Sequence, residues 1–105
     1  VEDFAEWQAF QHGFAQIDTV IPQARAKVVT RCAAFAERYQ HEFLFYVLSS
    51  GGSYGHAYGF SICSLMEMQR LHAAFIHSGQ FFHGPFEVAD NHVPCILLMN
   101  EGRTR

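Results

Sequence analysis

Apolar residues recur at three- and four-residue steps from the start of the chain: Phe4, Trp7, Phe10, Phe14 and Ile17 share one face, with Glu2, Asp3, Glu6 and Gln11 between them. That period predicts an amphipathic helix over about Glu2 to Gln16. Ala24, Val28, Cys32, Phe35 and Tyr39 repeat it, so a second helix is expected over Gln23 to Tyr39, with Asp18 and Thr19 ahead of Pro22, a residue tolerated in a first helical turn. The pattern then changes. Phe43 to Leu48 is an unbroken apolar run, as for a strand buried on both faces of a parallel sheet. Ser49-Ser50-Gly51-Gly52-Ser53 reads as a turn, and Tyr54 to His72 returns to a helical period, with Gly55 and Gly59 expected to permit close packing on the sheet. A second strand over about Ala74 to His77, a short helix from Gly84-Pro85 to about Val88 and a third strand over Pro94 to Met99 complete the order.

Strand, turn, helix, strand, short helix, strand is the order of an open α/β sandwich, and right-handed crossovers place its helices on the sheet faces. The fold class expected is α/β, a three-layer sandwich with a parallel sheet, preceded by two helices that occupy residues 1–40. Ligands in such sheets bind beyond the carboxyl ends of the strands. Ser49 to Ser53, Ser78 to His83 and Asn100 to Gly102 all fall on that edge.

Composition adds an expectation about company. Half of the 105 residues are hydrophobic and eleven are Phe, more apolar surface than so small a core can hide, so the excess is expected in interfaces with other subunits or with further polypeptide. A chain that opens at Val1 and stops at Arg105 is read as an internal piece of a longer polypeptide. The net charge of −3 with seven dispersed Lys and Arg, clustered only at Arg103-Thr104-Arg105, offers no basic stripe for a nucleic-acid backbone. No apolar run approaches the ~20 residues that span a bilayer. Cys32, Cys63 and Cys95 are odd in number, lack C-x-x-C spacing and sit in apolar stretches, which reads as buried reduced thiols of a cytoplasmic protein.

Two places carry candidate chemistry. The turn Ser50-Gly51-Gly52-Ser53 combines backbone freedom, hydroxyls and a following helix start, which suits an anion such as a sugar phosphate; the alternative is an ordinary turn whose Ser caps the helix. Gly51-Gly52-Ser53-Tyr54-Gly55 also fits G-x-S-x-G between strand and helix, but Asp90 and His92 stand two apart in one loop, and a serine hydrolase lacks its partners. Glu67 lies among Leu65, Met66, Met68 and Leu71, where a carboxylate is costly unless paired or protonated. It is either an acid-base group or the partner of Arg70 three positions on. His72, His77 and His83 stand near Glu67 in sequence but without metal-ligand spacing, so no metal is assigned.

The run from Met66 to His72, followed by His77-Ser78-Gly79-Gln80-Phe81-Phe82-His83-Gly84-Pro85-Phe86-Glu87, resembles the SIS (sugar isomerase) superfamily. The match is closest to fructose-asparagine 6-phosphate and fructosamine 6-phosphate deglycases. It is more distant to the isomerase domain of glutamine-fructose-6-phosphate aminotransferase. The resemblance implies that residues 41–105 are the N-terminal part of a SIS domain, the second SIS half of a longer enzyme. It implies Glu67 and His83 as catalytic acid-base groups without a cofactor. Ser78, Gln80 and Glu87 join Ser50, Gly51, Gly52 and Ser53 as candidate substrate contacts, although relatives with two SIS halves carry their main phosphate loop in the first half. Gln80 departs from relatives that carry Glu there. In relatives the matching His enters a neighbouring subunit's site, so a homodimer or higher oligomer with shared sites is expected. The substrate implied is a 6-phosphofructosamine or related ketose phosphate. The alternative is a SIS module that senses a phosphosugar without transforming it.

Overall fold

The computed structural model describes residues 4–100, which fall into two units, one up to Gln40 and one from His41 onward. The first is helical. Helix α1 runs Trp7–Ala15 and α2 runs Ile17–Tyr39. The expected first helix is shorter at its start: Phe4 to Glu6 form a turn closed by the Trp7 N–H on the Phe4 carbonyl (2.9 Å), while Glu2 and Asp3 lie outside the described residues. The second helix is longer than its apolar period suggested. Gln16 keeps near-helical dihedrals and its carbonyl accepts from the N–H groups of Thr19 and Val20 at 3.0 and 2.9 Å. Helix therefore resumes at once, and Pro22 sits inside α2, not in its first turn. No residue of either helix is buried, and Phe10, Phe14, Val20, Ile21, Val28, Val29 and Phe35 are exposed. The rings of Trp7, Phe10 and Phe14 stack in series at 5.5 and 6.0 Å.

The second unit is α/β. Strands β1 (Leu44–Ser49), β2 (His72–His77) and β3 (Cys95–Leu98) form a parallel sheet in the order β2-β1-β3. Between β1 and β2 the chain makes a 3-10 turn at Gly51–Ser53, helix α3 at Tyr54–Gly59, and a π-helical continuation at Phe60–Met68. A 3-10 segment at Ser78–His83 and the short helix α4 at Pro85–Val88 follow β2.

The core consists of Phe45, Val47, Ala57, Leu65 and Ala73, with Ser49 and Ser61 buried among them. Ala57, Ser61 and Leu65 recur every four residues, the stripe that a helix lays on a sheet. Burial along β1 alternates, Phe45, Val47 and Ser49 inside and Leu44, Tyr46 and Leu48 partly open. The expected burial of β1 on both faces is thus met on one face only within this segment. Gly55 and Gly59 have open space where a Cβ would stand, so close packing is not why they are glycine. The helix ends at Met68, before the expected His72, because Arg70 turns into the left-handed region (φ 58°), its N–H on Met66 and that of Leu71 on Leu65 (3.1 and 3.0 Å). This frees His72 to begin β2, where its N–H donates to Phe43 at 2.9 Å. Cys32, Cys63 and Cys95 are free and exposed, correcting their expected burial: each sits on an apolar element but on a side this segment leaves uncovered. Among the described residues no helix is long and apolar enough to cross a membrane.

Candidate functional site

Parallel pairing fixes where each candidate lies. The chain leaves β1 at the carboxyl edge, and because β2 runs parallel it must enter β2 at the amino edge. The helix between them carries it across. Ser50 to Ser53, at the helix start, therefore stand on the carboxyl edge, as do Ser78, Gln80 and His83 just past β2.

At that edge the two loops are tied to the sheet. Gly51 opens the 3-10 turn at φ 55°, a conformation that glycine takes without steric cost. Ser53 is not a helix cap: its N–H (3.0 Å) and its hydroxyl both donate to Oδ1 of Asn100, and the Asn100 carboxamide N–H donates to the Ser50 carbonyl. Both alternatives for Ser53, cap and nucleophile, fare poorly on this geometry, since a carboxamide oxygen cannot act as the base that a nucleophilic serine needs. Ser49 is spent on the sheet, its buried hydroxyl donating to Leu98 at 3.1 Å. On the β2 side the Gly79 N–H donates to Nδ1 of His77 (3.1 Å), which caps the 3-10 segment and leaves the imidazole proton to Nε2 when the ring is neutral. The Tyr54 ring meets those of His77 and Phe75 at 5.2 and 6.2 Å, packing the start of α3 against the end of β2.

An open cleft of about 690 Å³ lies beside these ties, lined by Phe75, Ile76, Gly79, Gln80, His83 and Pro85. His83, the last residue of the 3-10 segment, is exposed at its wall, and Gly84 (φ 148°) makes the turn that only glycine adopts readily before Pro85 starts α4. Glu87 is exposed on α4, and Ser78 half-buried at the start of the 3-10 segment.

Glu67 lies elsewhere. It is exposed near the helix end, on the amino edge, and the six residues of β2 separate that edge from His83 by roughly 17 Å at a ~3.3 Å rise per residue. One chain does not bring Glu67 and His83 together. Nor does Glu67 share a helix with Arg70, which lies beyond the helix end; the ion pair weighed for it loses its helical register, and its exposure removes the cost that made a buried carboxylate notable. Both residues have exposed apolar neighbours, Met66 and Met68 beside Glu67, Phe82 and Phe86 about His83. Glu101 and Gly102, expected on the carboxyl edge, and the cluster Arg103-Thr104-Arg105 lie outside the described residues. Among the described residues no group of three or more His, Cys, Asp or Glu could hold a metal ion. Asn100 is the contributor that the sequence did not single out: it fell on the right edge, but its bonds reach across 47 and 50 residues, and no local pattern records them.

No protein-family model matches the chain. Fructosamine deglycase FrlB of Bacillus subtilis is 38% identical over all 105 residues, which span 32% of its length. Fructoselysine 6-phosphate deglycase of Escherichia coli K12 is 32% identical over 62 residues, 59% of this chain and 18% of that protein. In structure, a Salmonella typhimurium LT2 protein provisionally assigned as a phosphosugar isomerase superposes with a TM-score of 0.93 at 39% identity, over the whole of this chain and 32% of its own. A similarly assigned Bacillus subtilis protein gives 0.72 at 42% identity over 76% of this chain and 24% of its own. The chain thus spans about a third of FrlB and of the Salmonella protein, and less of the others. Likeness of sequence along the full chain, together with the parallel α/β sheet, identifies it as a partial SIS-type module of the phosphosugar isomerase and deglycase kind.

Proposed function

We propose that the complete polypeptide carrying this segment is a deglycase or isomerase of a 6-phosphofructosamine or related ketose phosphate, acting by Glu/His acid-base chemistry. The observation that carries this reading is the match, along the whole of this chain, to about a third of a fructosamine deglycase. Glu67 and the Phe82-His83-Gly84-Pro85 run accord with it. In this account residues 41–105 form the N-terminal part of the second SIS half, and residues 1–40 lead into it. The setting is the cytoplasm and carbohydrate metabolism.

The chemistry follows from the substrate. A 6-phosphofructosamine has a carbonyl at C2 and an amine on C1. A carboxylate can take a proton from C1 to give an enolamine and return it to C2, moving the double bond to C1 and nitrogen. Water then adds at C1, the amine leaves with a proton, and a hexose phosphate remains. Glu67 is assigned the C1–C2 transfer, and His83 opens the sugar ring and protonates the departing amine. Ser50, Gly51, Gly52 and Ser53 receive the polar substrate at the carboxyl edge, with Ser78, Gln80 and Glu87 along the cleft.

The distance across β2 supports a shared site. Residues on opposite edges of one sheet act together only when a second subunit supplies one of them, and the exposed methionines and phenylalanines beside each are the apolar surface that such an interface covers. We assign a homodimer or higher oligomer on that basis. Glu67→Gln in the complete enzyme tests the assignment: turnover should fall by about 10²–10⁴, the usual worth of a positioned acid or base, with the substrate KM little changed. Full turnover in this variant would remove Glu67 from the mechanism.

A further inference from the structure

One side chain holds the loop after β1 at both ends. Asn100 lies just beyond β3, and its carboxamide oxygen accepts from both the N–H and the hydroxyl of Ser53 while its Nδ2 donates to the Ser50 carbonyl. The direction of the amide is fixed by chemistry: a backbone N–H can only donate, so the atom facing Ser53 has to be the oxygen. Both lone-pair sites of that oxygen and one of the two amide protons are engaged. Asn100 is half-buried, which strengthens such bonds relative to exposed ones. Between the two anchored residues lie Gly51 and Gly52, a pair with little conformational preference of its own. Without the clamp, that pair would be free to sample many forms.

The clamp also decides what Ser53 offers a ligand. Its hydroxyl proton is committed to Asn100, so toward substrate the hydroxyl presents oxygen and not a donor. In this arrangement Asn100 sets the course of the Ser50–Ser53 backbone at the carboxyl edge of the sheet.

We propose that Asn100 is a positioning residue that presets the Ser50–Ser53 loop for the phosphosugar, an inference that rests on the function proposed above. Two measurements on the complete protein test it. In Asn100→Ala, amide hydrogen exchange at Ser53 in the absence of substrate should quicken by about tenfold or more, as expected for loss of a partly buried hydrogen bond. KM for the phosphosugar should rise about 10- to 100-fold with kcat within about threefold, the signature of lost binding and not of lost chemistry. Asn100→Asp keeps the acceptor for Ser53 but loses the donor to Ser50 and adds negative charge. Its Ser53 amide should stay protected while KM rises, and it carries the test alone should the alanine variant fail to fold. Unchanged exchange at Ser53 in Asn100→Ala overturns the proposal, as does faster exchange with KM and kcat both unaltered, or an unchanged KM in Asn100→Asp. If the wild-type protein proves to turn over no phosphosugar, the proposed reaction fails by itself. The dissociation constant of a hexose 6-phosphate measured by calorimetry then replaces KM: a rise of the same size in Asn100→Ala upholds the positioning role, and an equal affinity, or none in either protein, defeats it.

Discussion

A mixed oligomer exposes the division of the site between chains. Take complete subunits carrying Glu67→Gln and others carrying His83→Ala, each inactive as a homo-oligomer. Because β2 holds these residues on opposite edges of one sheet, a shared site draws its carboxylate from one chain and its imidazole from the other. In a hybrid dimer one site then receives both defects and the other receives neither. Random exchange of equal amounts makes about half of all dimers hybrid, and one sound site in two gives them about half the wild-type activity, so the mixture should recover about a quarter of it. The assay is turnover before and after exchange, with hybrid formation followed by native mass measurement. Hybrids that form and stay inactive would refute the division, leaving Glu67 and His83 either to act within one chain after a large rearrangement or not to act together.

Other expectations follow from burial and bonding. Val47 is 0% exposed, and Val47→Ala should lower unfolding free energy by about 1.5–3 kcal/mol in denaturant titration, the transfer and cavity cost of two buried methyl groups; an effect below about 0.5 kcal/mol, the usual range of a surface substitution, would deny that β1 sits in the core. Ser61, equally buried and with no partner for its Oγ among the described residues, should behave oppositely, Ser61→Ala being neutral or stabilising by up to about 1 kcal/mol, and a clear loss of stability would show that the hydroxyl has a partner in the assembled protein. Ser53, bonded to a carboxamide and not to a base, should resist a serine-directed fluorophosphonate; stoichiometric labelling there, read by peptide mass, would favour a hydrolase.

How much of this was legible in the residues depended on range. The three strands were visible because their apolar runs are bounded by polar and glycine residues, and each was placed within two residues of its observed limits. Helix ends were less legible. Pro22 looked like a helix start, yet the backbone at Gln16 was already helical, and proline constrains its own φ without saying where the helix began. The end at Met68 rests on Arg70 in a left-handed conformation, which no residue preference announces. Glu67 drew attention because Met66, Met68 and Leu71 surround it in sequence. In space those methionines are exposed, so an apolar neighbourhood in sequence was not a buried one. The exposed cysteines have the same explanation: apolar surroundings mark a surface to be covered, not the chain that covers it. Asn100 was illegible because what distinguishes it are bonds to residues almost half the chain away.

The most direct measurement of the central claim is product formation by the complete wild-type polypeptide given a 6-phosphofructosamine in metal-free buffer. The account predicts free amine and hexose phosphate released in equal amounts over many turnovers, at a rate that Glu67→Gln lowers by about 10²–10⁴. Tight binding of the phosphosugar with neither amine release nor isomerised sugar would contradict it, and would leave a module that senses the ligand without transforming it.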